Sequence, residues 1–154
     1  FRLSDLKMIT DSLTLTVGYD RTNCTTGSYQ GEIHIDHYGR SVPKAAHGTI
    51  HLDPPTNLGS RLIDAAVRLY AQITSPQLLV RRISIAANRV IEDHGIYQLN
   101  LFTDMKKLER EKKLQETILD IKKRFGKNSV LKGTSFLDGA TMRERNGQIG
   151  GHKA

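Results

Sequence analysis

One cysteine, four prolines and no tryptophan stand among the 154 residues. Cys24 alone can close no disulfide within the chain and supplies no set of thiolates for zinc. A lone thiol suits a reducing compartment, so the expected location is cytoplasmic. No stretch approaches the roughly 18 uncharged apolar residues of a membrane-spanning helix, and no membrane partner is expected. The opening residues carry Arg2, Asp5 and Lys7 without the apolar run of a signal peptide. A nucleophile elbow is missing, and Gly126, Gly133 and Gly139 have neither the spacing nor the strand-then-helix setting of a phosphate loop. The chain opens on Phe1 rather than Met and is expected to be a piece of something longer.

What is present is enough for one compact domain, with 38% apolar and 25% charged residues. Lys and Arg total 23 against 16 acids, a net charge of +7. The excess is unevenly placed. Residues 1–102 carry 10 basic and 9 acidic side chains, whereas residues 103–154 carry 13 and 7. Such an excess suits phosphate backbones or anionic surfaces, and the asymmetry predicts two parts.

Period-two alternation predicts strands at Leu13–Val17, Ile33–Ile35 and Ile50–Leu52, the last stopped by Pro54-Pro55, and a longer one from about Leu79 to Ile91. Thr22 to Gly31 reads as a polar loop, which also accounts for the glycosylation-like triplet Asn23-Cys24-Thr25. Between the last two strands, Leu58, Leu62, Ala65, Leu69 and Ile73 recur at helical spacing after a cap at Thr56 or Asn57. That helix must cover the apolar face of the sheet. The opposite face then carries Thr14, Thr16, His34, Thr49, His51, Arg82, Ser84 and Asn88, either an ordinary solvated surface or a platform for a polyanion. A long charged helix is predicted from Thr103 or Asp104 to Phe125, with Leu114, Ile118, Ile121 and Phe125 as its stripe and Gly126 as its stop. Much of residues 126–154, rich in Gly, Arg, Lys and Asn, is expected to be loosely ordered unless a partner or neighbour holds it.

His34, Asp36, His37, His47, His51 and Asp53 lie close in sequence and raise the alternative of a histidine-metal enzyme. His47 and His51 fall on a strand, however, where residues four apart stand about 13 Å from each other. Surface histidines are the plainer reading. Asp20, Asp36 and Asp53, the acids near strand ends, read as turn or cap residues, and no active site emerges. Gln98-Leu99-Asn100-Leu101-Phe102 puts three large apolar side chains into a connector. They either extend a strand and staple the next helix, or form an extended ligand for a groove on a partner.

The order Thr10-Asp11-Ser12-Leu13, Val17-Gly18-Tyr19-Asp20, Asp36-His37-Tyr38-Gly39-Arg40, His47-Gly48-Thr49-Ile50 and Leu79-Val80-Arg81-Arg82-Ile83 resembles bacterial Y-family translesion DNA polymerases of the UmuC-like (ImpB/MucB/SamB) branch. The ending, from Gly139-Ala140-Thr141 through Arg143-Glu144-Arg145-Asn146 to Gln148-Ile149-Gly150-Gly151-His152-Lys153-Ala154, is similar to the carboxyl terminus of that branch. The resemblance implies an α+β fold. Residues 1–91 would be the little finger, a sheet of about four strands with one face covered by helix, whose second helix would precede Phe1. Residues 92–103 would be a connector with the clamp-binding motif, and 104–154 a basic helix and tail. It implies a non-catalytic region of an SOS-response polymerase that grips primer–template DNA without sequence preference. Thr14, Thr16, Arg40, Lys44, His47, Thr49, Arg82 and Ser84 would face the DNA, while Gln98, Leu99, Leu101 and Phe102 would dock on the sliding clamp. Other SOS proteins are further possible partners. The palm carboxylates, and with them the magnesium a parent polymerase would use, are not in this chain, so no cofactor is expected here. An adaptor of the same family, binding clamp and DNA without catalysis, is the alternative.

Overall fold

The computed structural model describes residues 2–27, 29–94, 105–149 and 152–153. Contacts divide the chain into two compact units, Arg2–Thr103 and Asp104–Ala154.

The first unit runs α1 (Arg2–Asp5), β1 (Met8–Tyr19), α2 (Thr22–Thr25), β2 (Ile33–Ile35), β3 (Ser41–Pro43), β4 (Ala46–Thr56), α3 (Gly59–Ile73), β5 (Val80–Asn88) and β6 (Ile91–Glu92). It is a mixed α+β arrangement built on an antiparallel sheet of order β4-β1-β5, with the short β6 also pairing β1. Leu13, Leu15, Val17 and Tyr19 alternate inward along β1 and are buried. Opposite them, Ala46, Gly48 and Ile50 of β4 point to the same side. Leu58, which caps α3, and Ala65 and Leu69 within it close the core from above. Gly48 sets the approach of that helix. A Cβ there would stand 2.9 Å from Ile73 Cγ2 and 3.0 Å from Leu69 Cδ1, too near for any larger residue unless those side chains shift.

Four expectations are corrected. Ile33–Ile35 does not join the main sheet: it pairs with Ser41–Pro43 as a separate hairpin, which takes His34 off the open face. The reason is local, because the Asp36–Arg40 turn brings the chain straight back, with Asp36 N–H donating to Arg40 O at 2.9 Å. Pro54 and Pro55 do not end β4, which continues to Thr56. Between Ser12↔His51 and Thr10↔Thr56 the register shifts, so both prolines fall where the ladder asks for no donor. The strand expected from Leu79 to Ile91 breaks at Arg89, whose φ is +48° and whose guanidinium meets Asp11 at 3.2 Å. Neither Thr56 nor Asn57 is the helix cap. Leu58 holds that position, Thr56 Oγ1 accepts the Leu58 N–H, and Asn57 Nδ2 donates to Met8 O.

The polar loop at 22–31 contains α2, and Asn23 is buried rather than displayed. Its Nδ2 donates to Asp20 O and Leu79 O, and its Oδ1 accepts the Leu79 N–H, so the side chain ties α2 to the start of β5. Asp20 Oδ1 accepts the N–H and hydroxyl of Thr22 at 2.9 Å each, which holds the Asp20 carboxyl below its usual value.

The second unit holds α4 (Met105–Phe125), a 3-10 turn at Gly133–Phe136, α5 (Met142–Asn146) and the paired strands β7 (Gln148–Ile149) and β8 (His152–Lys153). Gly126 ends α4 at φ +96° with its N–H on Lys122 O. Among its described residues the segment after Gly126, expected to be largely loosely ordered, carries short elements with their own bonds. Asn146 Nδ2 donates to Asn128 Oδ1 at 2.7 Å, and Arg143 lies 5.0 Å above the Phe136 ring.

Candidate nucleic-acid interface

The sheet face turned away from α3 is built in rows across β4, β1 and β5. Thr49, Thr14 and Ala86 form one row, His47, Thr16 and Ser84 the next, and Arg82 lies opposite Gly18 in the third. No carboxylate occupies any of these positions. Strand parity alone gathers Thr14, Thr16, His47, Thr49, Arg82 and Ser84 onto one surface.

Side-chain bonds stiffen that surface. Asn88 Nδ2 donates to Thr14 Oγ1 at 2.7 Å, and Thr14 Oγ1 is 2.8 Å from Thr49 Oγ1, so three strands are linked by one chain of polar contacts. Thr16 Oγ1 and His47 Nδ1 are 2.9 Å apart in the next row. The Thr14–Thr49 and Thr16–His47 contacts are solvent-exposed, and the hydroxyls of Thr16 and Thr49, each with one such contact, keep spare bonding capacity. A row of fixed hydroxyls beside a cation can position phosphates without reading bases. Arg82 is exposed and forms no ion pair among the described residues.

Arg40 and Lys44 are placed differently. Both belong to the β2–β3 hairpin region, and each is held by a carboxylate. Arg40 meets Asp36 Oδ2 through Nε and through its terminal nitrogen at 2.9 Å, donates its backbone N–H to Asp36 Oδ1, and lies 4.7 Å above the Tyr38 ring. The Arg40 amide and guanidinium hold the Asp36 carboxyl down at about 2. Lys44 Nζ sits 2.8 Å from Glu32 Oε2, and that carboxylate raises the lysine's pKa. A phosphate would have to compete with these partners.

Asn88, like His34 and His51, is placed on the face by strand parity without a role, and its bond to Thr14 depends on the β1–β5 register. The partner of Arg40 did leave a sequence signal, since Asp-x-x-Gly-x is the pattern of a side-chain-closed turn. Gln98, Leu99, Leu101 and Phe102 lie outside the described residues. Among the described residues no group of three or more His, Cys, Asp or Glu is arranged to hold a metal ion, and His34 and His51 sit in separate sheets. No described helix is long and apolar enough to cross a membrane. A cleft of about 700 Å³ opens between α2, the hairpin and the end of α3, with Tyr19, Ile73 and Leu78 among its lining residues. Tyr19 Oη already accepts the Ser75 N–H there. No protein family, curated protein or solved structure matches the chain.

Proposed function

We infer that this chain is the non-catalytic C-terminal region of an error-prone translesion DNA polymerase of the UmuC-like branch. Its little-finger sheet grips primer–template DNA, and its connector docks on the sliding clamp in the cytoplasm. The observation that carries this reading is the carboxylate-free face on which Thr14, Thr16, Thr49 and Ser84 stand beside Arg82 and His47. Hydroxyls and one unpaired cation suit a surface that must follow a phosphate backbone while tolerating damaged bases. The polymerase chemistry belongs to the parent, whose palm would supply the carboxylates for magnesium. Gln98, Leu99, Leu101 and Phe102 form the clamp-docking segment, with Leu101 and Phe102 as the apolar anchors.

The test is a titration of the chain with two primer–template duplexes of unrelated sequence at rising salt. The reading expects equal affinities for both duplexes and a log-linear fall with salt. Affinities that depend on sequence, or that do not change with salt, would overturn it.

A further inference from the structure

The open sheet face and the connector make no use of the outer side of β4. That strand runs from Ala46 to Thr56 and, among the described residues, pairs with β1 alone. An outer strand turns alternate N–H and C=O groups away from its neighbour, which is a template for one more strand. Pro54 and Pro55 lack donors at the far end, so the stretch fit for pairing is Ala46–Asp53.

A groove of about 250 Å³ runs beside this edge, between β4 and the near flank of α3. Ile50, Leu52 and Ala65 form its apolar part, and Arg61, Asp64 and Arg68 stand along its helix wall. These three lie three and four residues apart, so they follow one another along one side of α3. Arg61 is half-buried, while Asp64 and Arg68 are exposed. Among the described residues none of the three side chains forms an ion pair or a hydrogen bond. The wall therefore reads positive, negative, positive, with every charge unmatched.

That order of charge selects the occupant. A phosphate backbone would gain Arg61 and Arg68 but would meet Asp64 between them and Asp53 on the strand. An extended peptide satisfies both features, because its backbone pairs with the edge while its alternate side chains meet the wall. The matching pattern is acid, base, acid at alternate positions. Arg61 and Arg68 stand about 10 Å apart along the helix axis. Three alternate residues of a strand span about 13 Å, a difference that arginine side chains can take up. The pattern is the same in either direction of the added strand.

We propose that the outer edge of β4 is a strand-addition site for an extended segment of another protein, acid–base–acid at alternate positions and registered by Arg61, Asp64 and Arg68. The added strand lies along β4, at the opposite edge of the three-strand path from Arg82 on β5, and leaves that cation open to DNA.

The experiment is a nitrogen-15 NMR titration of the full chain with synthetic peptides about seven residues long. The first is Thr-Glu-Thr-Lys-Thr-Glu-Thr, and the second is its isomer Thr-Glu-Thr-Glu-Thr-Lys-Thr. Saturable shifts of the Ala46–Asp53 amides are expected with the first peptide, and binding at least about fivefold weaker with the isomer. Two further forms of the first peptide carry N-methyl groups on the Thr residues or on the charged residues. One of the two should lose binding, since one set of amides must face the edge. The triple change Arg61→Glu, Asp64→Lys and Arg68→Glu should move preference to Thr-Lys-Thr-Glu-Thr-Lys-Thr, with the circular dichroism spectrum of the parent retained. Absence of saturable shifts, equal affinity for the two isomers, or full binding by both methylated forms would overturn the proposal. So would displacement of the peptide by duplex DNA in a manner that depends on Arg61 and Arg68, which would assign the groove to phosphate.

Discussion

Ile83 stands directly across the β1–β5 ladder from Val17, on the same side of the sheet, yet Val17 is 0% and Ile83 52% exposed. The cause is the position of α3, which lies over β4 and β1. Arg61, Asp64 and Arg68 take its flank beside β4, while Ile63 and Val67 remain exposed elsewhere on the helix. Beyond it, Ile83 and Ile85 form an apolar strip on β5 that no described element covers.

This asymmetry has a measurable consequence for stability. Leu15→Ala, which empties a site that is 2% exposed, is expected to cost about 2–5 kcal/mol. Ile83→Ala, on the same face but half in water, is expected to cost well under about 1 kcal/mol. Urea denaturation of the two variants measures both values. Comparable losses would mean that β5 is covered in solution.

The hairpin turn makes a prediction with a definite sign. Asp36 titrates at about 2 instead of 3.8 because the Arg40 backbone and side chain bind its charged form. A carboxyl lowered on folding stabilises the turn fully above its unfolded value, and that contribution disappears as the pH falls through the folded value. The Asp36 carboxyl signal and the Tyr38 and Arg40 amide signals should therefore titrate together near pH 2 in an NMR series. A midpoint near 3.8 would mean that the Arg40 contacts do not persist in solution.

For the connector, the paired change Leu101→Ala and Phe102→Ala is expected to remove binding to a bacterial sliding clamp while the circular dichroism spectrum stays that of the parent. Calorimetric titration reads the affinity. An unchanged value would remove residues 98–102 from the clamp-docking account.

Much of the architecture was legible in local pattern. The Leu13-Leu15-Val17 alternation and the Leu58–Ile73 stripe reappear as the buried face of β1 and the covering face of α3, because period two and period 3.6 need no partner to be seen. Phe125-Gly126 marked the end of α4, since a left-handed residue there favours glycine. Pairing was not legible. His34 alternates as a sheet strand should, but a turn closing onto β3 was enough to divert it. The prolines at 54 and 55 look like strand stops, but the β1–β4 register shifts between His51 and Thr56, and only the pairing shows that their missing N–H does not matter there. On the candidate face the residue types were visible from parity. Asp36 as the partner of Arg40 was signalled by the turn pattern, whereas Glu32 as the partner of Lys44 depended on the folded hairpin; with both occupied, Arg82 is the available cation of the face among the described residues.

The most direct measurement is therefore a comparison of Arg82→Ala with the parent in binding a labelled primer–template duplex across a salt series, with Arg40→Ala and Lys44→Ala alongside. The account predicts that Arg82→Ala weakens binding for all sequences alike and lowers the salt slope by about 1, the loss of one phosphate contact. It also predicts smaller effects for the two hairpin variants, whose cations are already paired. If Arg82→Ala bound the duplex with the affinity and salt slope of the parent, the sheet face would not be the DNA surface.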